Sequence, residues 1–345
     1  MKVIADYVFI DHMQNFRAIT KIIDIDKESI DEKYEITKED LKDKTEYINL
    51  CEYKNKYNSE DDKYIKLIPK EIYKCPFRQG HDIYIFVICD YEGCKYFEKI
   101  DRSNYEKKNK LPFNLRFTQQ MFIIDPTTER PLGFPRKDQG DPPEKGPYLA
   151  GVGTMASVGR GFSNELLAYC LYSNIGISKI ITGATPGQFE YTIINNENNI
   201  EKLCYDLIAT RYITNRITEK NKLIVSYNSK PETGKWNGSG LLIYLDFEKY
   251  NKNENENKND YITKFLKKMG ISHSKMISIM TDKNKERLYE LGLSNMEYNI
   301  GIKSGENMII KYNENLYLDR RSPSNTNPFL IYEYYLSINK ELTQL

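Results

Sequence analysis

Histidine is nearly absent from this chain: among 345 residues there are three, His12, His81 and His273, and none stands in an HxxxH or HxH pattern. A metal centre built on imidazoles is therefore not expected. The six cysteines are too sparse for a disulfide framework in a chain of this length. Cys89 and Cys94 are separated by four residues, and no His or second Cys pair follows at zinc spacing, so reduced thiols are expected. No apolar run approaches the roughly 20 residues of a membrane helix. The opening Met1-Lys2-Val3-Ile4-Ala5-Asp6 lacks the long apolar region of a signal peptide. The expectation is a soluble, cytoplasmic protein with no membrane partner. Charge of either sign is not in excess: Lys+Arg 50 against Asp+Glu 49 leaves +1, which gives no argument for nucleic acid.

Several catalytic signatures are missing too. There is no GxxxxGK[ST] loop and no G-x-S-x-G elbow. Three scattered histidines do not assemble a nucleophile set by spacing. Gly151-Val152-Gly153-Thr154-Met155-Ala156 fits a loose G-x-G-x-x-A, but a Pro-rich loop precedes it where a dinucleotide site needs a strand. Its glycines are read instead as places where backbone segments approach closely.

What is present is an alternation of strand and helix patterns. Val3 to Ile10, Arg17 to Ile25, Tyr64 to Pro69 and Asp82 to Cys89 read as strands, the last nearly all apolar and hence buried on both faces. Residues 26–62 are polar without a period and read as loops or an insertion. Asp101 to Lys110 reads as a linker. Beyond it, Phe117 to Asp125, Ile177 to Ile181, Gln188 to Ile194, Leu223 to Tyr227 and Leu241 to Asp246 are strands, with an extended Pro/Gly loop from Pro126 to Pro147. A helix is expected from Ser163-Asn164, capped there. Ile200, Leu203, Cys204, Leu207 and Ile208 recur at i, i+3, i+4, i+7, i+8 and mark a helix running to about Lys220. Tyr261 to Met269 and Pro328 to Leu342 are further helices, and the low-complexity Asn251 to Asp260 is a solvated loop. The abundance of Lys, Asn, Ile and Tyr is the composition expected of an AT-rich genome.

Three segments carry more information than these patterns: Gly146-Pro147-Tyr148-Leu149-Ala150-Gly151-Val152-Gly153, the turn Pro186-Gly187-Gln188-Phe189-Glu190, and Lys235-Trp236-Asn237-Gly238-Ser239-Gly240. Together they resemble the signature segments of glutamine synthetases of the eukaryotic type (class II). The likeness is good from about Leu132 to Pro328 and weak before that. It implies an α+β fold with a small N-terminal β-grasp domain, residues 1–100. A linker at 101–110 and a glutamine synthetase-type catalytic domain at 111–345, an antiparallel half-barrel with helices, would follow. It also implies a homo-oligomer of stacked pentameric rings, with co-assembly with an active glutamine synthetase as a further partner reading.

The family reaction joins glutamate and ammonia with ATP and needs Mg²⁺ or Mn²⁺ held by carboxylates and one histidine. Most of those positions have changed here. The family's Glu-x-Glu strand stands as Thr118-Gln119-Gln120, and the Glu three residues before the turn's proline is Gly183. The His after the Trp-Asn-Gly loop is replaced by Leu241-Leu242, and the Glu before Asp-Arg-Arg is Leu318. Neither the Asp-Gly-Ser-Ser segment nor the Glu flap is recognisable. Glu190 survives as a relict metal position, expected to pair with an arginine such as Arg320 rather than to hold an ion. The resemblance carries over, as relict substrate-binding positions, Asn237, Gly238, Arg287, Arg320 and Arg321, with Lys303 where the family has Arg. No catalytic residue and no cofactor is expected. The resulting expectation is an inactive homologue with a structural or regulatory role. The alternative is an active ATP-dependent carboxylate–amine ligase using ATP and Mg²⁺ or Mn²⁺ on relocated ligands such as Asp246, Glu165 and Glu306.

Overall fold

The computed structural model describes residues 2–11, 14–25, 36–49, 64–78, 83–91, 111–141, 146–153, 156–195, 197, 199–232, 238–250, 257–278, 287–288, 298–302 and 307–343. It is a mixed α+β protein. By Cα proximity the chain divides into two compact units, Met1–Asp101 with Tyr169–Ile175, and Arg102–Ala168 with Gly176–Leu345. The segment 101–110 read as a linker lies outside the described residues.

The first unit is a five-stranded sheet formed by β1 (Lys2–Ile10), β2 (Phe16–Asp24), β3 (Glu46–Asn49), β4 (Tyr64–Lys74) and β5 (Ile83–Tyr91), in the order β2-β1-β5-β4-β3. β1 and β5 run parallel at its centre; the other neighbours are antiparallel. The central pair is apolar on both faces, and Ile85 through Tyr91 is buried without interruption, as the continuous hydrophobic run predicts. Two buried carboxylates interrupt it, Asp90 on β5 and Asp6 on β1; Asp6 accepts from Thr20 Oγ1 at 2.6 Å and from Arg78 at 3.0 Å. Pro69 is tolerated inside β4 because the register against β5 shifts between Pro69 and Glu71, which frees the ladder from the missing N–H. The stretch read as unstructured, 26–62, contains β3 and a 3₁₀ turn at Glu39–Leu41, anchored by the fully buried Leu41. A four-residue strand is too short to display a period, so the polar surroundings hid it.

The second unit is built on a nine-stranded sheet: β6 (Asn114–Asp125), β7 (Arg130–Pro131), β8 (Ile177–Thr182), β9 (Gln188–Ile194), β10 (Ile224–Ser226), β11 (Leu241–Asp246), β12 (Ile300–Gly301), β13 (Ile309–Lys311) and β14 (Leu316–Asp319). Its main order is β12-β13-β14-β11-β6-β9-β8, with β7 and β10 paired to the far end of β6. Only β12–β13 is parallel. Five helices belong to the described chain: α1 (Arg160–Tyr172), α2 (Ile200–Lys220), α3 (Lys258–Ile271), α4 (His273–Ser278) and α5 (Pro328–Thr343).

α2 packs against β6, β9, β10 and α5. It starts where Asn199 accepts from the Lys202 N–H, and it is buried on nearly every side from Leu203 to Thr214. α1 begins at Arg160, three residues before the expected cap. Gly159, at φ +86°, turns the chain into it, and Ser163 does not cap: its hydroxyl donates back to the Arg160 carbonyl. α3 likewise starts earlier than expected, at Lys258, because Asn257 caps it by accepting from the Asn259 N–H.

The turn before β9 fixes the centre of the sheet. Gly183 N–H donates to Gln188 O at 2.7 Å, and Ile123 N–H donates to Gly187 O at 2.8 Å. Gly187 sits at φ +69°, and a Cβ there would lie 2.6 Å from the Leu132 nitrogen, so only glycine fits.

Candidate functional site

Strand register places the positions of interest on one face of the large sheet. Gln120 stands opposite Glu190, and Thr118 lies between Leu242 and Thr192. Tyr244 is opposite both Arg116 and Leu318. Side chains two residues apart along a strand, and those directly opposite across strands, share a face. Thr118, Gln120, Glu190, Leu242 and Leu318 therefore form one contiguous surface. The intervening residues Phe117, Gln119, Ile243 and Asp319 point the other way, into the core.

The chemistry on this face is largely neutral. Thr118 and Thr192 hydroxyls meet at 2.7 Å. Gln120 joins two strands with one amide: Nε2 donates to Glu190 Oε2 at 3.0 Å, while Oε1 accepts from Gly240 N–H at 3.0 Å. Lys179, on β8, donates to the other Glu190 oxygen, Oε1, at 3.1 Å. Glu190 thus pairs with Lys179 and Gln120. The expected partnership with Arg320 does not form; that guanidinium instead donates to the Asn307 carbonyl at 3.1 Å. Leu242 is half-buried and Leu318 is buried. Tyr244 and Tyr312 stack with centroids 6.0 Å apart. Burial, then Tyr312, then the Glu190 charge push the Tyr244 phenol above its ordinary range.

Carboxylates named as substitutes are engaged elsewhere. Asp246 pairs with Arg116 and accepts from the Glu248 N–H. Glu165 pairs with Lys220. Glu306 lies outside the described residues. Among the described residues, no group of three or more His, Cys, Asp or Glu side chains is placed to hold a metal ion.

The relict substrate positions fall into a second cluster. Arg287 is buried, and its guanidinium donates to the carbonyls of Arg320 at 2.7 Å and Arg321 at 3.2 Å. It also lies against two glycines: a Cβ on Gly238 would come within 2.7 Å of Arg287 Cγ, and one on Gly240 within 2.7 Å of its NH1. Burial first, and then the neighbouring Arg320 charge, push Arg287 below the ordinary arginine range. Gly238 O accepts from Gln188 Nε2 at 3.3 Å, which ties this loop to the glycine turn. Arg321 is wholly buried and forms an ion pair with Asp319, its NH2 at 2.6 Å from Oδ2; Tyr335 donates to the same carboxylate at 2.9 Å. The structure therefore gathers Gly238, Arg287, Arg320 and Arg321, and links them to Gln120 through Gly240. Asn237 and Lys303 lie outside the described residues.

Sequence reading missed Lys179 and the Gln119–Arg211 pair. Gln119 Oε1 accepts from Arg211 Nε at 2.9 Å and from its NH2 at 2.6 Å, while Gln119 Nε2 donates to Ser324 Oγ at 2.7 Å. The position of Lys179 follows from the register of β8 against β9, which shifts between Ile177 and Lys179; no motif marks it.

Fold and site together define a mixed α+β protein whose central sheet sets Glu190 among threonine, glutamine and leucine side chains, beside an arginine-rich loop cluster. No protein-family model matches the chain. It is 28% identical to the glutamine synthetase root isozyme B of Pisum sativum, with 78% of each chain covered. It is likewise 28% identical to the glutamine synthetase root isozyme 4 of Zea mays, over 79% of this chain and 78% of that one. A glutamine synthetase cytosolic isozyme of Arabidopsis thaliana, 1-3, is 26% identical over the same shares. The chain is a divergent relative of the eukaryotic glutamine synthetases. Among the described residues, no helix is long and apolar enough to cross a membrane.

Proposed function

We propose that this is a glutamine synthetase homologue without ligase chemistry, serving a structural or regulatory role as a cytoplasmic homo-oligomer. In this reading the first unit is the family's β-grasp domain and the large sheet its half-barrel. One observation carries the proposal. Of the five positions Thr118, Gln120, Glu190, Leu242 and Leu318, one bears a carboxylate, and both of its oxygens are already bonded within the protein. Mg²⁺ sheds water reluctantly and needs several anionic oxygens or a bound phosphate; Mn²⁺ sites draw on the same donors. A set of one paired carboxylate, one amide, one hydroxyl and two leucines does not fit two or three such ions. Without them the triphosphate is neither neutralised nor aligned for transfer. The arginine cluster is read as scaffold, with its guanidinium groups satisfied by carbonyls and Asp319.

The test is direct. The purified full chain, given glutamate, ATP, and ammonia or hydroxylamine with Mg²⁺ or Mn²⁺, is expected to form no γ-glutamyl product above a protein-free blank. Glutamine formation at an ordinary enzymatic rate would overturn the reading.

A further inference from the structure

We propose that Lys179 is the resident cation of the sheet face, its ammonium standing where a divalent ion would otherwise neutralise Glu190; this rests on the reading that the face no longer holds metal. The geometry is specific. Lys179 stands opposite Thr192, diagonal to Glu190 across β8 and β9, on the same face as Thr118 and Gln120. Its Nζ lies 3.1 Å from Glu190 Oε1 while the Gln120 amide takes Oε2 at 3.0 Å. The Glu190 side chain is 14% exposed against 47% for Lys179, so the carboxylate is the buried member and the lysine reaches in from the edge strand. A carboxylate largely removed from water needs a partner charge and hydrogen bonds. The other cations of this face have their own acceptors: Arg116 bonds Asp246, and Arg320 bonds the Asn307 carbonyl. A tethered ammonium is a compact charge with three donors, and it supplies neutralisation without a free ion. The consequence is a face that is electrostatically complete in the absence of metal and closed to it.

The experiment uses the full chain as wild type, Lys179→Met, Glu190→Gln, the double variant, and Lys179→Glu. Thermal unfolding is followed in EDTA and in Mn²⁺ alone. Wild type is expected to keep the same midpoint in both. Lys179→Met should lower the midpoint by roughly 1–2 °C, and adding Glu190→Gln should recover that loss, since the carboxylate then no longer needs a cation. Lys179→Glu places a second carboxylate beside Glu190 and should regain in Mn²⁺ the stability it loses in EDTA. The assignment is overturned if the two single losses simply add, if Mn²⁺ raises the wild-type midpoint in a way abolished by Glu190→Gln, or if Lys179→Glu ignores Mn²⁺. A wild-type chain that makes glutamine while Lys179 and Glu190 remain coupled would overturn the proposed function and leave this assignment standing.

Discussion

Two carboxylates of the large sheet, Asp319 and Glu190, lie on opposite faces and have opposite settings. Asp319 faces the core with no solvent exposure; Arg321, equally buried, binds it through Nε and NH2, and Tyr335 donates to it as well. Glu190 faces the other side, part-exposed, held by a flexible lysine and an amide. Both groups of residues sit beside signature segments shared with the glutamine synthetases. The core-facing carboxylate is enclosed by Arg321 and Tyr335, whereas the face opposite sets Thr118, Gln120, Leu242 and Leu318 around a single paired carboxylate.

The sharpest way to break the comparison is at Asp319. Asp319→Asn removes the partner of a fully buried guanidinium and should cost about 3–5 kcal/mol in urea unfolding. A loss under about 1 kcal/mol would place Asp319 with the ordinary surface acids. The same carboxylate fixes an acid dependence. Burial alone would raise its pKa, but the Arg321 charge and the hydrogen bonds from Arg321 and Tyr335 outweigh that and hold it below the usual range. A depressed folded pKa contributes stability above the unfolded value near roughly 3.9 and loses it as pH falls through the lower folded value. Wild type should therefore lose this contribution only below about pH 4, and Asp319→Asn should flatten that part of the stability–pH curve.

Next in size is Gly187→Ala. A side chain at φ +69°, aimed at the Leu132 backbone, should cost about 1–3 kcal/mol in strain. The site residues should show no new ligand response, since what fails is the turn that aligns β9 with β6. Unchanged stability would mean the turn relaxes freely and does not set the register of Gln120 against Glu190.

These contrasts were unevenly legible in the sequence. Gln188 to Ile194 and Leu241 to Asp246 could be bounded as strands because aromatic and branched apolar residues dominate them and turn residues flank them. The helix from Ile200 to Lys220 announced itself by its period and ends where expected. β12 and β13 were invisible, being two and three residues long and specified by pairing rather than by local pattern. The start of α1 was misplaced because a serine that bonds back within a turn looks, in sequence, like one that caps. At the site, the family likeness gave the expectation, position by position, that Thr118, Gln120 and Leu318 stand in place of acids and Leu242 in place of a histidine. The partner of Glu190 could not, since an ion pair between adjacent strands depends on register and on which strand lies at the edge. Arg320 was the nearer guess by motif, and Lys179 is the neighbour that the β8–β9 ladder supplies.

The smallest expected effect completes the contrast. Glu190→Gln keeps the side chain's size and its contact with Gln120 while deleting the charge that Lys179 neutralises. Because the lysine is about half exposed, water screens the pair and compensates the freed ammonium, so the change should cost no more than about 1 kcal/mol. Measured in the same urea titration as Asp319→Asn, the two amide substitutions differ by one solvent boundary and should differ several-fold in free energy. If Glu190→Gln cost as much as Asp319→Asn, Glu190 would belong with the structural polar network, and the division between the two faces of the sheet would not hold.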